Sequence, residues 1–281
     1  MRVIIILSMI LFFTGCSGKH IVKNKEKRVA LIIGNQHYPD RALKNSIHDA
    51  QAIAKRLKKI NFKAENIILK IDINYQEFYK SLDEFKNKID KNTITFFYFS
   101  GHANTLHQNS TNSFLAMVEN DKNVLVSIHK VYEVLSEAKA KHNIICIDAC
   151  RDFNISSSEN IEKGIVYRDS NWGEEEALPT VIKDNNHYNT PISTIVSFAS
   201  NINEGARDEG LIDKTHSPYA RYLIKHLNDK DDIPVSEMFN RIRVDMRKEL
   251  HDKQRNSEID MLEGNPWLNP KKAETPATVA F

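Results

Sequence analysis

Five short apolar runs, separated by polar loops and helix-period stretches, constrain this chain more than any other feature. They are residues 28–34 (RVALIIG), 66–71 (NIILKI), 93–100 (TITFFYFS), 143–149 (NIICIDA) and 193–199 (STIVSFA). Near-continuous hydrophobicity, rather than alternation, belongs to strands covered on both faces, as in parallel sheets. Between the runs, Leu43, Ile47, Ala50, Ile53, Leu57 and Ile60 recur at helical steps. So do Tyr75, Phe78, Leu82, Phe85 and Ile89, and then Ile128, Val131, Leu135 and Ala138. Such spacing gathers apolar side chains on one helical face. Alternation of strand and helix predicts an α/β fold: a mostly parallel central sheet with helices on both faces. Two more helical patterns, 219–227 and 235–250, follow the last run. The 281 residues suffice for one large domain of this kind.

Residues 151–192 break the rhythm with Ser156, Ser157 and Ser158, an acidic run at 174–176 and several Asn. A connection of about 40 residues is long for a compact domain and reads as a functional or flexible loop. Residues 253–281 read as an irregular C-terminal tail. The beginning differs in kind. Met1-Arg2 gives a positive start, residues 3–13 are almost wholly apolar, and Thr14-Gly15-Cys16 follows. About 11 apolar residues are too few to span a bilayer as a helix but fit a signal-peptide core. Small residues before a Cys resemble a lipobox, in which Cys16 is lipidated and becomes the mature N-terminus. Phe13 stands where a smaller aliphatic residue is usual. An uncleaved signal anchor, or a signal peptide cut elsewhere, are the alternatives. On the lipobox reading, 1–16 is a lipoprotein signal peptide, 17–26 a polar tether and 27–252 the folded domain. The protein is then held in a bacterial cell envelope through its lipid, on the periplasmic or extracytoplasmic side. Lys and Arg number 39 against 37 Asp and Glu, a net charge of +2. With no basic stripe and interleaved aromatics, nothing points to nucleic acid.

Ligand and catalytic sites of parallel sheets lie at the carboxyl ends of strands. Two strands here end conspicuously, one in Ser100-Gly101-His102-Ala103 and one in Asp148-Ala149-Cys150-Arg151. If they are neighbours, His102 and Cys150 face one cleft. A thiol is a poor nucleophile until it ionises, and a nearby imidazole can take its proton. The backbone N–H groups of Ala103 and Cys150 are the natural candidates for an oxyanion hole. The plainer alternative is a buried small hydrophobe and a solvated loop histidine. Cys146, inside the strand, reads as core. Four residues of extended chain separate Cys146 from Cys150 by about 13 Å, against the ~7 Å limit for a disulfide. The exported context therefore does not imply a disulfide here.

At this point a family resemblance enters. A caspase signature is Gln-Ala-Cys-[Arg/Gln/Gly]-Gly with a His about 50 residues upstream. Asp148-Ala149-Cys150-Arg151-Asp152, with His102 upstream, resembles the bacterial caspase-like and metacaspase branch of that superfamily. RVALIIGN (28–35) resembles the family's first strand, LKNSIHDA (43–50) the opening of its first helix, FSGHA (99–103) the catalytic His motif, and SFASNINEGA (197–206) the segment after the long loop. The resemblance implies a caspase-like three-layer sandwich, a cysteine endopeptidase with a His102–Cys150 dyad, and protein or peptide substrates. It also implies an S1 pocket lined by Asp148 and Asp49. Two carboxylates at the base of a pocket attract Arg or Lys, so cleavage after basic residues is expected. Alternatively, Asp49 only caps its helix.

Departures from the family pattern matter too. Ala103 stands in place of a Gly, and would be strained if that position needs positive φ. His48 replaces Asn and is assigned no role. Lys163, Arg168 and Lys183 lie where such enzymes are often cut during activation. There is no His-Glu-x-x-His, no Gly-x-Ser-x-Gly and no phosphate loop, and His102 and His107 are wrongly spaced for a metal on one helical face. No cofactor is expected, although calcium activates some relatives; oligomeric state is left open. Two rival readings are a caspase-fold binding or signalling module without turnover, and a different hydrolase using Asp148.

Overall fold

The computed structural model describes residues 26–39, 41–105, 113–119, 124–151, 166–167, 190–202, 204–227 and 233–268. The expectations for Cys16, His107, Asp152, Lys163, Arg168 and Lys183, and for most of 151–192, fall outside them.

A six-stranded sheet forms the centre. Strands β1 (Lys27–Gly34), β2 (Ile67–Ile71) and β3 (Thr93–Ser100) belong to it. So do β7 (His142–Asp148), β9 (Thr194–Phe198) and β10 (Ser257–Met261), in the order β10-β9-β7-β3-β1-β2. All neighbours are parallel except β10, which runs antiparallel to β9. The apolar runs thus become strands as expected, and the reason is visible in their burial. Val29, Leu31 and Ile33, with Phe97, Phe99, Ile145 and Ile147, pack on one face. Ala30 and Ile32, with Phe96, Tyr98, Ile144 and Cys146, pack on the other.

Helices α2 (Tyr75–Asn87) and α3 (His129–Ala138) cover the first face through Phe78, Leu82, Phe85, Val131 and Leu135. Helices α1 (Ser46–Leu57), α4 (Pro218–His226) and α5 (Val235–Leu250) cover the second through Ala50, Ile53, Leu57, Leu223, Phe239 and Met246. The result is the three-layer sandwich. Helix starts follow local rules. Asn74 and Glu77 form a reciprocal capping box on α2, and Ser217 caps α4 ahead of Pro218. Gly34 is required where α1 crosses β1, because a Cβ there would lie 2.5 Å from the Ser46 carbonyl oxygen.

Two features were not foreseen. A second, small sheet joins β4 (Ala103–Thr105), β5 (Ser113–Met117), β6 (Val124–Ser127) and β8 (Val166–Tyr167). The expectation of an irregular tail from 253 is corrected by β10. SEIDM holds only two apolar residues, because an edge strand needs one partner and one covered face. Further on, buried Arg28 donates to the carbonyls of Leu268 (3.0 Å) and Trp267 (2.9 Å), which fastens the chain beyond β10 to β1.

Candidate active site

Register brings the site together. Gly34 pairs with Ser100, and Ser100 with Asp148, so three parallel strands end on one line. Asn35, Gly101-His102 and Ala149-Cys150 therefore leave the sheet side by side. Asn35 ties the exits: its amide donates to the Ala116 carbonyl (3.1 Å) and its Oδ1 accepts the Ile73 N–H (3.0 Å). Above the strand ends is a cleft of about 240 Å³, lined by His102, Cys150, Asp148, Ala206, Asp208 and Ser217 among others. Two residues expected to form a dyad thus share one cleft.

His102 Nε2 lies 2.7 Å from the Arg41 carbonyl oxygen. A carbonyl only accepts, so Nε2 carries the hydrogen and Nδ1 of the neutral ring is the basic nitrogen. Burial holds the imidazole below its ordinary value, outweighing the Arg41 carbonyl that favours the cation. A neutral His at neutral pH is the form that accepts a proton. The ring also packs at 4.6 Å, centroid to centroid, on Tyr38. The Tyr38 hydroxyl accepts the His102 N–H (3.1 Å) and donates to the Ala116 carbonyl (3.0 Å). It thereby stands inside a ladder position between β5 and the residue before β4. Gly101 makes room for that oxygen, since a Cβ there would lie 2.4 Å from it.

Cys150 is half-buried, and its Sγ accepts the Ala206 N–H at 3.2 Å. An N–H aimed at sulfur is a contact that strengthens when the thiol ionises. Neither Cys146 nor Cys150 is in a disulfide, and Cys146 is fully buried in β7.

Ala103 would be strained only at positive φ, and it does not have positive φ. The Ala116 N–H donates to the His102 carbonyl (2.9 Å), and Ala103 pairs with Leu115. Bonded and non-bonded pairs alternate along an antiparallel ladder, so the Ala103 N–H points away from β5, toward the open edge of β4. Ala103 opens a strand, a conformation any residue can adopt.

Asp49 and Asp148 are both buried and both bonded to Ser217. The Ser217 hydroxyl donates to Asp148 Oδ2 (2.5 Å), and the Ser217 N–H donates to Asp49 Oδ2 (3.2 Å). Tyr98 adds a second hydroxyl to Asp148 Oδ2 (3.0 Å). The Asp49 carboxyl turns away from its own helix toward Ser217 and toward His216, whose Nδ1 is 2.6 Å from Oδ1. Burial, then repulsion by Asp208, raises Asp49; burial, then repulsion by Asp49, raises Asp148. The α4 N-terminus, which Ser217 caps, adds partial positive charge nearby.

Sequence reasoning missed Asn35, Tyr38, Tyr98, Ala206, Asp208, His216 and Ser217. Ser217-Pro218 carries a helix-start signal, which shows a cap but not its second bond. The others carry no local signal. Among the described residues, no group of three or more His, Cys, Asp or Glu is placed to hold a metal ion.

Comparison with known proteins bears on the family and the fold. The caspase domain profile of peptidase C14 matches residues 27–275. The human mucosa-associated lymphoid tissue lymphoma translocation protein 1 is 27% identical over 133 residues, 45% of this chain but 15% of that protein. Its mouse homolog is 27% identical over 144 residues, 49% of this chain and 16% of the relative. The chain thus spans about one sixth of the curated relatives it matches. Among solved structures, caspase-1 from Spodoptera frugiperda superposes with a TM-score of 0.59 at 12% identity, covering 89% of this chain and 93% of that one. The Drosophila initiator caspase Dronc gives 0.57 at 13%, covering 86% and 83%. With the caspase domain profile matching residues 27–275, most of its length, this chain belongs to the caspase domain family, peptidase C14.

Proposed function

We propose that this protein is a cysteine endopeptidase that cuts peptide bonds after Arg or Lys, with His102 and Cys150 as its catalytic pair. The observation that carries the reading is one cleft lined by a neutral, tautomer-fixed imidazole, a half-buried thiol and the buried carboxyl of Asp148; Asp49, fully buried, does not line it and meets the site only through Ser217. In the forward reaction, His102 Nδ1 takes the thiol proton as Sγ attacks the scissile carbonyl carbon. The N–H groups of Ala103 and Cys150 hold the oxyanion, which needs donors where charge develops. The imidazolium then gives its proton to the leaving amine, and an acyl-enzyme remains. His102 next takes a proton from water, hydroxide adds to the thioester carbon, and collapse expels the Cys150 sulfur. No cofactor enters these steps. Asp148, at the cleft base with Asp49 behind it, receives the guanidinium or ammonium of the P1 residue.

A panel of fluorogenic peptides varied at P1 tests this, run with wild type, Cys150→Ala and His102→Ala. Cleavage confined to Arg and Lys, absent in both variants, is expected. Cleavage surviving Cys150→Ala refutes the nucleophile. Folded wild type that neither cleaves nor is labelled at Cys150 by an Arg chloromethylketone indicates a binding module. We further propose that lipid on Cys16 tethers the enzyme to a bacterial membrane. Incorporation of a palmitate analogue, lost in Cys16→Ser, is the expected result.

A further inference from the structure

The cleft is acidic at its base but basic at its rim. Arg41 and Arg207 are both exposed, and both line the cleft that holds Cys150 and Asp148. The two acids that follow Arg207 in the chain are engaged elsewhere. The Asp208 carboxylate accepts the N–H groups of Lys44 (2.5 Å) and Asn45 (3.2 Å), and Glu209 pairs with the Lys44 ammonium (3.0 Å). The Arg207 Nε–H donates to the Glu209 carbonyl (3.4 Å), a neutral acceptor. Among the described residues, no carboxylate pairs with either guanidinium.

Each cation stands by one half of the reaction. The Arg41 carbonyl accepts the Nε2 hydrogen of His102 (2.7 Å), and the Arg41 charge adds to the burial that keeps that ring neutral. His102 gives its proton to the leaving amine, so the leaving half of the substrate lies on the side of Arg41. Arg207 follows Ala206, whose N–H meets the Cys150 sulfur (3.2 Å). The acyl half stays on that sulfur and so lies on the side of Arg207. A P1 cation passing these two charges is repelled before it reaches Asp148. An acid beside it in the substrate offsets that repulsion and meets a guanidinium itself. The chain carries such segments in its own sequence. The three Lys and Arg residues between 152 and 192 each have an acid on one side: Glu162 before Lys163, Asp169 after Arg168 and Asp184 after Lys183.

We infer that Arg41 and Arg207 are specificity-determining residues that select substrates with an acid beside the basic P1 residue, Arg41 reading P1′ and Arg207 reading P2. This rests on the proposed cleavage after Arg or Lys and assigns the flanking positions, which that reading leaves open.

The test is kcat/KM for two sets of internally quenched peptides, at about 50 mM and about 1 M NaCl. One set is built on Val-Tyr-Arg-Asp-Ser, residues 166–170, with Asp, Asn or Lys at P1′. The other is built on Asn-Ile-Glu-Lys-Gly, residues 160–164, with Glu, Gln or Lys at P2. Products are identified by mass spectrometry, so that cleavage after an introduced Lys is not counted. An exposed charge pair is worth about two- to fivefold against the neutral amide. Acid over Lys is therefore expected to reach about tenfold at low salt and to fade near 1 M, where the Debye length is ~3 Å. Arg41→Glu is expected to reverse the order at P1′ and keep it at P2, and Arg207→Glu to do the opposite. Arg41→Gln and Arg207→Gln are expected to flatten the same positions. Ratios within one variant cancel any change in the chemistry itself. A wild type that cleaves after Arg and Lys without ranking acid over Lys at low salt overturns the inference and leaves the P1 reading standing. So does a ranking that survives both Gln variants and high salt, since other groups then make the choice. Folded wild type that cleaves only after other residues, or cleaves nothing, removes the P1 reading, and the inference with it.

Discussion

Replacing Asp148 by Asn should make the protein more stable and a poorer enzyme at once. Asp148 is 5% exposed, and burial raises its carboxyl above the ordinary carboxylate value. The folded chain then holds a proton that the unfolded chain has released. Stability therefore falls as pH rises from the unfolded value, about 3.9, to the raised folded value, and stays low above it. A tenfold change in proton affinity corresponds to ~1.4 kcal/mol, so a carboxyl that burial holds well above the ordinary range costs the fold on the order of a few kcal/mol at pH 9. Asn removes the titrating group and keeps an oxygen for the Tyr98 and Ser217 hydroxyls, which both bond to Oδ2. Urea melts should give equal midpoints near pH 4 and a variant midpoint higher by about 1–2 M at pH 9. The same change withdraws the charge that a P1 guanidinium meets. Losing one partner of a desolvated charge pair costs about 2–5 kcal/mol, so kcat/KM for Arg should fall about 10² to 10³-fold. A P1 citrulline peptide, of the same shape without the charge, should change little. A variant less stable than wild type at pH 9, or one that keeps the Arg over citrulline preference, would refute the reasoning.

Other perturbations test the strand ends. Gly101→Ala places a Cβ on the Tyr38 hydroxyl, which displaces His102 from the cleft. A misplacement of about 1 Å should lower kcat about 10²-fold, measured at saturating substrate. Because burial holds His102 below its ordinary value, kcat should be flat near pH 7 and fall only as pH drops below about 6.5. A limb centred above pH 7 would contradict a neutral imidazole. Burial pushes the Cys146 thiol up to about 12, so iodoacetamide at pH 8 should label Cys150 and spare Cys146 in the folded protein, read by peptide mass mapping. Cys146→Ala should keep full activity and lose about 1–2 kcal/mol in urea unfolding.

What could be read from the sequence was what is local. The run 93–100 is β3 residue for residue, and α5 fills the expected 235–250, because burial on both faces and helical spacing are written within a few neighbours. His102 and Cys150 could be named because strand ends mark themselves and parallel sheets place them together. The short strands SFLAM and VLVS could not, since three or four apolar residues suit several structures. His216 and Ser217 were invisible for another reason. They meet Asp49 across 167 and 168 residues of chain, and no pattern within either segment announces the other. Ala103 shows the limit of motif reasoning. The family pattern has glycine there, and the chain continues as a strand without positive φ, in which alanine is at ease.

Ser217 has one hydrogen on its oxygen and gives it to Asp148, while its lone pair receives the Ala220 N–H (2.9 Å) that begins α4. Asp and Asn begin helices as well as Ser does, yet neither is interchangeable with it here. Aspartate would set another anion against one already out of water, and asparagine would have to spend its amide hydrogens on Asp148 and its oxygen on Ala220 from atoms set farther apart. The letter at this position is chosen by the acid beneath it rather than by the helix above it. Tolerance at 217 should follow Ser, then Thr, however freely other caps vary.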